Sequence, residues 1–146
     1  MNAPQTYSEW IDVFEMLDEG ARDGEVAELM RSGNLEWQAG VAERFIKQFM
    51  AVLDTRMNRA IDKFDKILKR GDLNMMVRGM GALRNEFIYL ANLTDLNFLS
   101  DNVRLQIRGN IVNASKQVQS SLEDSAKTDR TGKLQSILRN NKVTIE

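Results

Sequence analysis

Apolar side chains in the middle of the chain recur at alternating spacings of three and four residues, which is the pattern of a helix with one buried stripe. The first series is Ile46, Met50, Leu53, Met57, Ala60, Phe64 and Ile67, and the second is Leu73, Met76, Met80, Leu83, Phe87 and Leu90. From Met50 onward, each residue of the first series has a counterpart in the second at the same distance from position 70. This mirror register predicts an antiparallel hairpin of two helices, residues 35–70 and 73–93, joined by a tight loop.

Residues that start and stop helices mark two short helices before the hairpin. Thr6 and Glu9 form a candidate capping box, and Gly20 can end that first helix in a left-handed conformation. A second helix is expected between Asp23, as its N-cap, and Gly33.

The fold expected from these elements is all-α, an elongated helical bundle built on the hairpin. A third long helix is predicted over residues 102–125. At 146 residues the chain can bury the core of one domain, which divides into an acidic N-terminal segment (1–33), the core bundle (34–126), and a short helix with a frayed tail (127–146).

Two glycines, Gly79 and Gly81, lie inside the second helix of the predicted hairpin. Each costs about 1 kcal/mol relative to alanine in a helix interior. A close approach of another backbone, for which the helix at 102–125 is the candidate, would compensate for that cost.

The first helix of the hairpin is longer than its partner. Thirty-six helical residues would extend about 54 Å, whereas a compact chain of this length has a radius of gyration of about 15 Å. The uncovered part contains aromatic and aliphatic side chains, namely Trp37, Val41, Phe45 and Phe49. Either the N-terminal helices cover them, with Trp10 and Phe14 as anchors, or a second copy of the chain does. We therefore take Trp10, Trp37, Val41, Phe45 and Phe49 as candidate partner-binding residues.

The composition removes several kinds of chemistry. The chain contains neither histidine nor cysteine, so it lacks the commonest general base, the usual zinc ligands and any thiolate nucleophile. The Gly79-Met80-Gly81 segment follows no predicted strand and continues into no phosphate-binding motif. We expect a protein that is not an enzyme and that needs no metal or cofactor. Without a secretory signal pattern or a membrane-spanning apolar stretch, a cytoplasmic location is expected.

Charge is distributed unevenly although the net charge is only −1. Residues 1–38 contain nine carboxylates and two arginines, whereas the remainder contains eighteen cations and twelve carboxylates. Within the long helix, five cations share one flank at spacings of three and four and form a basic stripe, Arg56, Arg59, Lys63, Lys66 and Arg70. The stripe is either a solvated face, or the dock for the acidic N-terminal helices or an acidic partner, or a track for nucleic-acid phosphates.

These observations favour a non-catalytic helical protein–protein interaction module, an adaptor, chaperone-like or regulatory subunit that self-associates, most simply as a homodimer. The alternative is a nucleic-acid-binding regulatory protein that uses the basic stripe. A third possibility is an enzyme with a carboxylate site built from residues such as Glu43, Glu86 or Asp95.

Overall fold

The computed structural model describes residues 1–36 and 40–146, and these residues form an all-α protein. Within them the helices are α1 (Tyr7–Glu19), α2 (Asp23–Ser32), α3 (Val41–Arg70), α4 (Leu73–Asn92), α5 (Asp101–Thr128) and α6 (Lys133–Leu138). The predicted fold class, an all-α helical bundle, is confirmed.

The first helix begins and ends at the predicted residues. The backbone N–H of Glu9 donates to the Thr6 hydroxyl, and the Thr6 N–H donates in return to the Glu9 carboxylate, so the capping box is complete. Gly20 ends the helix at φ 76°, a left-handed conformation that glycine adopts without strain.

The N-cap predicted for α2 is wrong. Asp23 is the first helical residue, and Arg22 occupies the cap position without a side-chain hydrogen bond. The Asp23 carboxylate accepts two hydrogen bonds from the guanidinium of Arg56 on α3.

The long helix α3 begins later than predicted. Its first residue is Val41, not residue 35, and the preceding Gly40 has a left-handed backbone at φ 79°. The Glu36 N–H donates to the carbonyl of Gln5 at 3.0 Å, so the backbone here pairs with the N-terminal segment rather than with a helical turn. At 1.5 Å per residue, the 30 residues of α3 extend about 45 Å.

The buried face of α3 also differs from the predicted series at its start. Phe45, Phe49 and Leu53 are buried, whereas Ile46 and Met50 are only half-buried. The aromatic rings of α1 determine which face of α3 is buried. The predicted series assumed that α3 packs against a single partner helix, so it did not account for packing against α1.

Contacts between Cα atoms divide the chain into two compact units. Unit 1 comprises residues 1–56 and 92–107, and unit 2 comprises residues 57–91 and 108–146. Helices α3 and α5 each contribute their first part to unit 1 and the rest to unit 2. The prediction of a single domain stays a prediction.

The two glycines of α4 have different surroundings. A Cβ at Gly79 would lie 3.1 Å from the Phe64 ring and 3.3 Å from Ile67, so Gly79 lets α4 pack against α3 within unit 2. A Cβ at Gly81 would have no atom of the described residues within 4 Å. The expectation that both glycines admit the backbone of α5 is therefore wrong. The mirror register pairs Phe64 with Met76, whereas the contact with Phe64 is made at Gly79, three residues further along α4. The mirror register itself stays a prediction.

The end of the chain is packed rather than frayed, which corrects the prediction. Val143 and Ile145 are 0% and 5% exposed, and they alternate with more exposed neighbours as in an extended strand. Two buried side chains of α5 hold this segment, because the Val143 N–H donates to Gln119 Oε1 at 2.9 Å and the Ile145 N–H donates to the Ser115 hydroxyl at 3.1 Å. The two acceptors are four residues apart on one face of α5, so they meet alternate N–H groups of the tail.

Candidate interaction surfaces

An aromatic cluster in unit 1 includes, among the described residues, Trp10, Phe14, Phe45, Phe49 and Phe98. The ring of Trp10 lies 5.1 Å from that of Phe45 in an edge-to-face arrangement, and Phe14 stacks on Phe49 at 5.5 Å. Phe98 lies 5.4 Å from both Trp10 and Phe45. The Trp10 indole N–H donates to the carbonyl of Asn34 at 2.6 Å, so its one polar group is satisfied.

This cluster decides what covers the aromatic surface of α3. The N-terminal helix covers it through Trp10 and Phe14, which was one of the two covers that the sequence left open. Trp10, Phe45 and Phe49 are fully buried and Val41 is 4% exposed, so the structure places these candidate partner-binding residues in the interior. Trp37, the fifth candidate, lies outside the described residues.

Arg56, the first residue of the basic stripe, is buried in unit 1 and joins three helices. Its side chain is 8% exposed, and its two terminal nitrogens reach both oxygens of Asp23 at 2.8 and 3.1 Å. The same guanidinium donates to the Leu17 carbonyl in the last turn of α1 at 3.1 Å. Arginine suits this position because its planar fork binds a carboxylate with two parallel hydrogen bonds. Arg56 thus holds α1 and α2 on α3 and is not available to track phosphates.

The other four cations of the basic stripe lie in unit 2 and are exposed. They are Arg59, Lys63, Lys66 and Arg70, on the second part of α3. Exposed Asp62 and Asp65 lie between them. The stripe is therefore a mixed but mainly basic surface.

The division of charge follows the division into compact units. Unit 1 contains thirteen carboxylates and six cations, a net charge of −7, and unit 2 contains fourteen cations and eight carboxylates, a net charge of +6. Most of the carboxylates of α1 and α2 are exposed, for example Asp12, Glu15, Glu19, Glu25 and Glu28. A chain that is nearly neutral overall thus has one strongly acidic unit and one strongly basic unit.

The helix surfaces in the described part of the chain include open grooves. One, of about 500 Å³, belongs to α3 in unit 1 and is lined by Glu43, Ile46, Lys47, Met50, Ala51 and Asp54. Another, of about 370 Å³, lies in unit 2 and is lined by Glu123, Ala126, Lys127, Gln135, Leu138 and Arg139. Among the carboxylates considered for an enzyme, Glu43 lines the first groove, and Asp95 is exposed and accepts from Arg104.

Residues 1–36 and 40–146 contain no group of three or more carboxylates placed to hold a metal ion. Over the same residues, no helix combines the length and the apolar character that crossing a membrane requires.

No protein-family model, curated protein or solved structure matches this chain.

Proposed function

We propose that this protein is a non-catalytic helical protein–protein interaction module that self-associates, with the acidic unit of one copy against the basic unit of another. The observation that carries the proposal is the segregation of charge, −7 in unit 1 and +6 in unit 2. In a two-fold dimer, each copy contributes both units, so the contact between an acidic and a basic unit forms twice.

Charge alone supplies only part of the affinity. An exposed ion pair contributes about 0.2–1 kcal/mol, so six such pairs would supply roughly 3 kcal/mol. A micromolar dimer needs about 8 kcal/mol. Electrostatic attraction therefore selects the orientation and accelerates the encounter, and apolar contact must supply the remainder.

Self-association that depends on charge should weaken as salt is added. Between ionic strengths of about 0.01 M and 1 M, the Debye length falls from about 30 Å to 3 Å. Sedimentation velocity of the full chain across this range should show a dimer at low salt that dissociates at high salt. A monomer at every ionic strength and at millimolar protein concentration would refute the proposal.

Charge reversal tests which unit provides the attraction. Lys63→Glu with Lys66→Glu removes cations from unit 2 and should abolish the low-salt dimer. The matched control is Arg22→Glu with Arg31→Glu, which changes the net charge equally but makes unit 1 more acidic. These two arginines are 54% and 72% exposed, so the control should fold and should still dimerise. If both pairs of substitutions weaken the dimer equally, its affinity depends on the net charge of the chain and not on which unit carries the charge.

The second candidate is a nucleic-acid-binding regulatory protein. The observation that favours it is the run of exposed cations on α3 in unit 2, Arg59, Lys63, Lys66 and Arg70. Phosphate contacts of this kind predict affinity that falls steeply with salt. Fluorescence anisotropy with labelled duplex DNA and RNA should then show binding at low salt that Lys63→Glu with Lys66→Glu removes. Absence of binding at low salt would end this candidate.

A further inference from the structure

The outer face of α4 contains an apolar stripe that is exposed in the described part of the chain. Leu73 is 42% exposed and Val77 is 38% exposed. Gly81 follows four residues later on the same face, and a Cβ there would lie more than 4 Å from any neighbouring atom that the structure describes. We call Leu73, Val77 and Gly81 the α4 stripe. Leu73 was predicted to lie in the buried seam of the hairpin, and the structure places it outside.

Among the described residues, no atom packs against the position that a Cβ would take at the glycine of this stripe. Glycine destabilises a helix interior relative to alanine because it loses more backbone entropy on folding. Gly79, two residues earlier, has an internal reason, since a Cβ there would press against Phe64. Gly81 lies in open space. A helical glycine beside exposed aliphatic side chains instead suits the close approach of a helix from another molecule.

The surroundings of the stripe are basic. The cations on and beside this part of α4 are Lys69, Arg70, Arg78 and Arg84. Asp72 is the carboxylate between residues 69 and 84, and it caps α4 by accepting a hydrogen bond from the Met75 N–H at 3.1 Å. An apolar stripe with a basic border favours a helix whose own border is acidic.

Such a helix is present in the acidic unit of this chain. The outer face of α1 combines the half-buried Ile11 with exposed Asp12, Glu15 and Glu19. We propose that the α4 stripe docks the outer face of α1 from a second copy, with Ile11 against the stripe and the carboxylates against the basic border. This inference rests on the proposed function and gives its dimer a location and an apolar component.

Two substitutions in the α4 stripe test the docking site in the full chain. Leu73→Ser with Val77→Ser should raise the dimer dissociation constant at low salt by roughly tenfold or more, because both aliphatic contacts are lost. The matched control is Leu105→Ser, since Leu105 is 68% exposed and lies in unit 1, outside the stripe. Its dissociation constant should equal that of the unsubstituted chain.

Gly81→Ala separates docking from folding. In the free chain the added methyl group would have no neighbouring atom of the described residues within 4 Å, so alanine should raise the urea midpoint. In the dimer the same methyl group would obstruct the docked helix and raise the dissociation constant. A purely structural role would not give these opposite effects.

Charge exchange tests the partner helix. Glu15→Lys and Arg78→Glu should each weaken the dimer, and the chain with both substitutions should recover affinity because the charges have exchanged sides. A salt-dependent dimer that is insensitive to the stripe substitutions and to Gly81→Ala would overturn the docking site and leave the proposed function standing. Absence of any dimer would overturn both.

Discussion

Replacing Arg56 with methionine should destabilise the protein even though the sequence pattern groups Arg56 with exposed cations. Methionine keeps the long apolar stem of the side chain and removes the guanidinium. The substitution therefore leaves the packing against α1 and α2 largely intact. It removes the hydrogen bonds to Asp23 and to the Leu17 carbonyl.

The expected loss of stability follows from the hydrogen bonds that Asp23 and the Leu17 carbonyl lose. A hydrogen bond from a charged group contributes about 1.5 kcal/mol at the lower end of its range, and the Leu17 carbonyl loses one. Asp23 is 35% exposed and can regain water, so the broken ion pair contributes about 1 kcal/mol. Together these give a loss of about 2–3 kcal/mol in the free energy of unfolding. For a chain of this size, that corresponds to a fall in Tm of about 4–12 °C.

Urea denaturation followed by far-UV circular dichroism and tryptophan fluorescence measures this loss. Arg56→Lys keeps the charge without the fork and should be about half as destabilising as Arg56→Met. The control is Lys63→Met, seven residues along the same helix at an exposed position, which should change stability by less than about 0.5 kcal/mol. Equal and small losses for Arg56→Met and Lys63→Met would refute the assignment of Arg56 as the residue that joins α1, α2 and α3.

Three further predictions concern the tail, the first helix cap and the hairpin. Val143→Ala removes two methyl groups from a fully buried side chain and should cost about 1.5–3 kcal/mol by urea denaturation, whereas a frayed tail would give no change. Hydrogen bonds from backbone N–H groups and the Thr6 hydroxyl lower the pKa of Glu9, so the contribution of Glu9 to stability is full at neutral pH and is lost as pH falls through the acid range. Glu9→Gln should therefore remove that part of the acid dependence of Tm. An unchanged pH profile would contradict the role of the cap. Because the chain has no cysteine, a short thiol cross-linker can test the hairpin register: cysteines at Ala60 and Leu83 should cross-link faster than cysteines at Ala60 and Met80, and the reverse order would favour the mirror register about position 70.

Local rules predicted much of the secondary structure. The capping box of α1 and the left-handed Gly20 depend on groups within a few residues of one another, so the sequence around them suffices. The same holds for α4, whose periodic apolar residues from Met76 to Leu90 are buried as predicted. The all-α class follows from these helices together with the helix-favouring composition.

The errors occurred where a distant group competes for a side chain or a backbone segment. Asp23 has the right residue type for an N-cap, but Arg56, 33 positions away, binds it instead. The sequence predicted that a helix begins at residue 35, but the backbone N–H of Glu36 donates a hydrogen bond to the carbonyl of Gln5. The tail lacks a helical pattern, and its order comes from Ser115 and Gln119 on α5.

The basic stripe shows the same limit for a candidate site. The sequence predicts the spacing of the stripe, because the spacing depends only on helical periodicity. The sequence does not predict which of these cations are exposed, because Arg56 is buried by helices that are adjacent to it only after folding.

The sequence by itself determined that this protein is helical, where most helices begin and end, and that its charge is unevenly distributed. These properties depend on local hydrogen bonding, periodicity and composition. Only the tertiary structure decided that the aromatic surface of α3 is covered by α1, that Arg56 joins three helices, that the tail is packed, and that the α4 stripe is left open. Each of these depends on contacts between residues far apart in the chain, and a pattern along one sequence does not record such contacts.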